Sequence, residues 1–268
     1  LRCFDQKRRF GVDLLYPVDR YVSGLTGIEI EDSWRCTEDG CPVVPNPLFP
    51  PENPQLAFTR RASEVFVVSV VGVPWQDLAT SESLSGDQLT YKSSYDADDW
   101  SLIVGRPSAH VRPQDPLMVA SADPRSGTHP ITGEALAPVD STDPTDNSIN
   151  GHEFNNLNND SLQYACIFPL VDPIDCSESG DELCECGTAD VAENKPLCHP
   201  PEGGSTSAAQ YFAGATPGLR QLELMSQLPH GVPASICPKV VEGDVDAASY
   251  GYNPAMRALL RELGSVLE

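Results

Sequence analysis

Apolar residues cluster at the two ends of the chain and thin out between them. VFVVSVVGV (Val65–Val73) is a continuous β-branched run. That pattern predicts a strand buried on both faces in a parallel sheet. Pro74 follows and would break the ladder. Near the start, RFGVDLLYPVDRYVSGL (Arg9–Leu25) predicts a turn of amphipathic helix around Tyr21 and Leu25. At the other end, Leu219, Leu222, Met225 and Leu228 recur at helical spacing after the N-cap and N1 pair Thr216-Pro217. GVPASIC (Gly231–Cys237) reads as a short buried strand. After a second such pair, Asn253-Pro254, one helical face carries Met256, Leu259, Leu260, Leu263 and Leu267. Strand, helix, strand, helix in that order predicts an α/β layer architecture.

From Gln76 to Ala208 the pattern is weak. SLIVG (Ser101–Gly105), LMVAS (Leu117–Ser121) and LQYACIFPL (Leu162–Leu170) read as short strands. PVDSTDPTDNSINGHEFNNLNND (Pro138–Asp160) is polar and turn-rich. So long a stretch without strong elements is unusual inside a compact domain. We expect one α/β domain over residues 1–268, with 76–208 as a loop-rich insertion ordered by cross-links and by an ion.

Cysteine changes the picture most. Nine are present in 268 residues. CTEDGC spans Cys36–Cys41, and Cys176, Cys184, Cys186 and Cys198 follow as C-x7-C-x-C-x11-C. Zinc knuckles space their cysteines C-x2-4-C in pairs, which this run does not do. The acidic neighbours Asp181, Glu182 and Glu185 oppose the thiolate that a metal or a nucleophile needs. Disulfides fit better, and with them an oxidising, extracytoplasmic setting. The expected disulfide cysteines are Cys36, Cys41, Cys166, Cys176, Cys184, Cys186, Cys198 and Cys237. Cys3 is left for a thiol or a partner outside the chain. The start at Leu1, with no signal-peptide h-region, fits a mature or processed product.

Charge narrows the partners. With 39 acidic and 17 basic side chains the formal charge is −22, which disfavours nucleic acid and anionic lipid. No apolar run reaches the length of a membrane span. The remaining partners are a protein, an upstream segment or a divalent cation. Asp140, Asp143, Asp146 and Asn150, closely spaced and followed by Gly151, are the expected calcium ligands, the alternative being a solvated Asn/Asp turn. Asp77, just past the strong strand, is either a lone acidic ligand at the strand's C-terminal edge or an ordinary loop carboxylate. His110, His129, His152, His199 and His230 are scattered without an i,i+4 pair, so each reads singly as a surface or hydrogen-bonding residue. A catalytic site would need side chains converging across the fold, for example around Arg106 and His110. No nucleophile elbow, P-loop, dinucleotide fingerprint or haem motif is present. Asn159-Asp160-Ser161 fits a glycosylation sequon.

The segments PGLRQLELMSQL, GVPASIC and NPAMRALLREL together resemble the last part of a von Willebrand factor A-like domain of secreted bacterial type, and VFVVSVVGV resembles one of its central parallel strands. The resemblance covers about a third of the chain. It implies a doubly wound, mostly parallel sheet with helices on both sides, and a role in adhesion or assembly without catalysis. It also implies an Asp-x-Ser-x-Ser metal triplet. The nearest match is Asp146-x-Ser148-x-Asn150, which lacks the last hydroxyl and a preceding apolar strand. The expected function is therefore a non-enzymatic extracytoplasmic binding or structural protein, an accessory subunit of a surface or periplasmic assembly. The alternatives are a calcium or transition-metal binding protein and a hydrolase or redox enzyme.

Overall fold

The computed structural model of the chain describes residues 2–50, 60–157, 160–177 and 184–267. Asn159 of the sequon, and Asp181 and Glu182 beside the cysteine run, lie outside them. Cys3 lies in the first helix, α1 (Arg2–Phe10), with its side chain also outside the described residues.

The fold is mixed α/β, with three two-stranded sheets among the described residues. Helix α2 (Val18–Thr26) leads to an antiparallel pair, β1 (Glu29–Glu31) and β2 (Val43–Pro45). Next comes β3 (Val67–Val71), followed by three short helices, α3 (Trp75–Leu78), α4 (Ser81–Ser85) and α5 (Ala97–Ile103). β4 (Cys166–Asp175) pairs antiparallel with β5 (Ala209–Ala215), and α6 (Thr188–Ala192) lies between them in sequence. α7 (Leu219–Gln227), β6 (Gly231–Ser235) and α8 (Asn253–Leu267) close the chain. β6 runs parallel to β3, with Val67 opposite Gly231 and Val71 opposite Ser235. The predicted parallel strands are thus present as a pair, and the described residues do not extend them into a doubly wound sheet.

The β3–β6 pair carries the main core. Val73, Leu78, Leu89, Ile103, Met118, Leu222, Val232 and Ala234 are buried together with Ala255 and Ala258 of α8. α8 therefore packs through its alanines, which let it approach closely. Met256 and Leu260, expected on its inner face, are exposed. α7 starts at Leu219, later than Thr216-Pro217 predicts. The Gly218 N–H is bonded to the Gly72 carbonyl at 2.8 Å, tying the chain to the end of β3 before the helix begins. A side chain at Gly72 would meet the Thr216 carbonyl oxygen at 1.9 Å, so this crossing requires glycine.

Two expected strands are helical. SLIVG is the end of α5, which Asp96 caps by accepting from the N–H groups of Asp98 and Asp99 at 2.9 Å each. Its apolar residues form the inward face of a short helix. LMVAS begins as a 3-10 turn, Pro116–Met118, started by the Asp115 side chain. LQYACIFPL does enter a strand, β4, which runs on to Asp175.

Cross-links replace ladders elsewhere. The disulfides join Cys36 to Cys41, Cys166 to Cys237, Cys176 to Cys184 and Cys186 to Cys198, using all eight expected cysteines. The Cys166–Cys237 bond spans 71 residues and fastens β4 to the end of β6. One buried ion pair does similar work. Arg125 and Glu153 are paired at 2.8 Å, and the guanidinium also donates to the carbonyls of Leu117, Val119 and Tyr164.

Chain entropy ranks the disulfides. Removing Cys166–Cys237 as a double alanine variant should cost roughly 4 kcal/mol, against roughly 2 kcal/mol for Cys36–Cys41. Denaturant unfolding of the two variants checks that order. Arg125→Ala leaves the Glu153 carboxylate buried without its partner and should cost about 3–5 kcal/mol in the same assay.

Candidate metal centre

Three side chains from separate parts of the loop-rich region meet in the interior. Asp77 sits in the single-turn helix α3, placed at the C-terminal end of β3 by Val73-Pro74. Asp115 starts the Pro116–Met118 turn, where its Oδ1 accepts the Leu117 N–H at 2.9 Å. His129 opens a tight turn. Its carbonyl accepts the Gly133 N–H at 2.9 Å, and its N–H donates to the Glu134 carbonyl at 2.8 Å. All three residues are fully buried, and their ligand atoms lie within 4.8 Å of one another. His129 Nε2 is 3.1 Å from Asp77 Oδ1 and 3.9 Å from Asp115 Oδ2.

Two carboxylate oxygens are left over. Asp77 Oδ2 and Asp115 Oδ2 are buried and receive no N–H or hydroxyl donor; the two carboxyls face each other within hydrogen-bonding reach, where a shared proton would also satisfy them. Such atoms are costly unless a proton or a cation meets them. Burial pushes both carboxyls up to about 7, and for Asp115 the neighbouring Asp77 charge adds to the effect. Burial also pulls the His129 imidazolium down. Ionising both carboxylates beside a neutral imidazole would make the interior doubly negative, a charge that a divalent ion would balance. A buried Asp77–Asp115–His129 group of this kind could bind a metal ion. The orphaned oxygens are the observation that fits one.

The sequence reading reaches one member of this group. Asp77 is the acidic residue at the strand edge, and it is fully buried in α3 rather than exposed on a loop. Asp115 and His129 were not connected with it. The only sequence signals were Asp-Pro before an apolar pair, the signature of a capped turn, and His-Pro-x-Thr-Gly, the signature of a side-chain-stabilised turn.

The expected calcium loop uses its side chains locally. Asp143 Oδ1 accepts from the Thr145 N–H at 2.8 Å and from its hydroxyl at 2.6 Å, which holds that carboxyl below its usual range. Asp146 accepts from the Ser141 hydroxyl. Asn150 donates to Glu153 at 2.8 Å, while its Oδ1 stays buried and unpartnered. Asp140 is exposed. Among the described residues, Asp140, Asp143 and Asp146 do not converge as Asp77, Asp115 and His129 do.

The other histidines divide. His110 is exposed beside exposed Arg106 on a 3-10 turn, and His230 is bonded to Glu262 at 2.8 Å. His152 and His199 are buried against each other, ring centroids 5.1 Å apart. Both ring nitrogens of His199 face carbonyl oxygens, Gly204 at 2.6 Å and the Asn194 side chain at 3.0 Å. The Asn194 amide is fixed by donating to the Val139 and Ser141 carbonyls. Only an imidazolium satisfies both contacts, whereas burial favours the neutral ring. The fixed Asn194 amide thus opposes the effect of burial and favours the proton on His199.

The carboxyl pair sets a pH dependence. Its folded pKa values lie above the unfolded value near 3.8, so the folded state holds protons that the unfolded state has released. In chelator, the stability the pair contributes is full below about pH 4 and is lost as pH rises through about 7. Comparing melting temperatures of the wild type and Asp115→Asn from pH 4 to 8 should show the wild type falling more steeply; parallel curves would contradict the assignment. Comparison with known proteins adds no name to this centre, since no family model, curated protein or solved structure matches the chain.

Proposed function

We propose that the chain is a non-catalytic binding or structural component of an extracytoplasmic assembly, adhesive or accessory in kind and von Willebrand factor A-like in its core. Four disulfides favour an oxidising, extracytoplasmic location, and no helix among the described residues is long and apolar enough to cross a membrane. The observation that carries the reading is the exposure of large apolar side chains in the N-terminal region. Leu14, Leu15 and Tyr16 are 60, 53 and 60% exposed in succession, and Trp34 is 95% exposed. Apolar surface of this kind marks a docking face. The titratable cluster, by contrast, is sealed from solvent, a poor arrangement for turnover of a diffusing substrate.

The unpartnered oxygens of Asp77 and Asp115 favour a second reading that is compatible with the first: the chain holds a divalent cation, calcium before a transition metal.

The docking face is tested in the native extracytoplasmic fraction. Wild type should migrate in a complex well above its own 28.9 kDa. A Leu14→Ser/Leu15→Ser/Tyr16→Ser variant should migrate as a monomer with an unchanged melting temperature. Wild type migrating alone, with no cross-linked partner, would refute the binding role.

A further inference from the structure

We propose that Asp77 and Asp115 take a hard, oxygen-seeking divalent cation, of the calcium or manganese class, and that His129 stays outside its coordination sphere as the group that orients Asp77. This rests on the cation-binding reading above. It differs from what the three side chains suggest as a set, since Asp, Asp and His together would ordinarily point to zinc.

The two ring nitrogens of His129 have different partners. The Thr132 backbone N–H donates to Nδ1 at 3.1 Å, and the Thr132 hydroxyl lies 3.0 Å from the same atom. A backbone N–H can only donate, so Nδ1 is the acceptor and carries no proton. The neutral ring then carries its proton on Nε2, and that N–H points at Asp77 Oδ1, 3.1 Å away. Zinc, copper and nickel need the Nε2 lone pair. In histidines that ligate through Nε2, the Nδ1–H typically donates to a carbonyl or carboxylate, the reverse of the arrangement at His129. Turning the ring over would break the Thr132 bond inside a turn held by the His129–Gly133 and His129–Glu134 backbone bonds.

What remains for an ion is oxygen. Asp77 Oδ1 is occupied by His129 and Asp115 Oδ1 by the Leu117 N–H. One oxygen of each carboxylate, Asp77 Oδ2 and Asp115 Oδ2, is buried without an N–H or hydroxyl donor, and the two carboxyls face each other, so that either a shared proton or a cation between them satisfies the pair. Carboxylate oxygens are donors that hard cations select. Two carboxylates, a neutral imidazole and a divalent ion leave the interior without net charge.

Manganese(II) is the probe, because its pulsed paramagnetic resonance spectrum reports whether nitrogen is bound. Full-length protein freed of metal with chelator should bind about one equivalent of Mn²⁺. Ca²⁺ should displace it, and no coupling to a directly bound ¹⁴N should be seen. Asp115→Asn should weaken binding at least 100-fold. His129→Gln should weaken it by about 10-fold, the scale of an outer-sphere partner. The wild-type spectrum decides the matter even if a variant fails to fold. A bound-nitrogen coupling would place His129 in the sphere and overturn this inference, leaving the cation reading intact. No binding of Mn²⁺ or Ca²⁺ by folded wild type would overturn both, and the carboxyls would then share a proton.

Discussion

The Arg125–Glu153 pair is the contact on which the loop-rich half of the molecule depends. Both side chains are almost wholly buried. Glu153 receives the Arg125 backbone N–H at 2.7 Å and its Nε at 3.0 Å through one oxygen, and Nη2 and the Asn150 amide through the other. The guanidinium spends its remaining donors on three main-chain carbonyls. A loop has no ladder to satisfy its own carbonyls, and inside a protein each must find a donor. A planar cation with five N–H groups supplies several from one position. The pair thereby fixes the Pro116–Met118 turn, and with it Asp115. Its worth lies in specifying this arrangement, since the desolvation of two charges offsets much of their attraction.

Other buried polar side chains repeat the strategy on a smaller scale. Asn194, held in a left-handed backbone conformation with φ 58°, joins the Val139–Ser141 chain to His199. Gln163 bonds the backbone of Phe154 in both directions, at 3.0 and 2.8 Å. Two disulfides, Cys176–Cys184 and Cys186–Cys198, contribute sulfur to a small apolar cluster around Phe154, Tyr164 and Phe212. Order in this region therefore comes from specific single contacts, where the β3–β6 core relies on repetitive burial.

That difference explains what could be read from the sequence. Leu219–Gln227 announces itself by the helical period of its apolar residues, Val67–Val71 and Gly231–Ser235 by short unbroken apolar runs, and Asn253–Leu267 by its Asn-Pro start and helical spacing, although its buried face is alanine. Cysteine spacing and acidic context led to disulfides because they bear on thiol chemistry directly. SLIVG predicts a strand because five residues are too few to separate a buried helical face from a buried strand. The overlooked signal was the Asp96-x-x-Asp99 cap just upstream. The candidate metal centre is legible in the sequence only at Asp77, which borders a strong strand. Asp115 and His129 stand 38 and 52 residues further along the sequence, and turn geometry that no periodicity records brings them there.

The register of the parallel pair gives the sheet a direction of growth. The bonds from Val67 N to the His230 carbonyl and from Ile236 N to the Val71 carbonyl turn Val67, Ser69 and Val71 toward β6. In a parallel ladder the alternate residues face outward, which on β6 are Gly231, Pro233 and Ser235. Pro233 has no N–H to offer a further strand, so β6 acts as a chain terminator. Val68 and Val70 of β3 keep both their donors and their acceptors on the outward side. A strand joining at β6 would therefore forgo a ladder bond at Pro233, and the outward side of β3 is the better-matched edge.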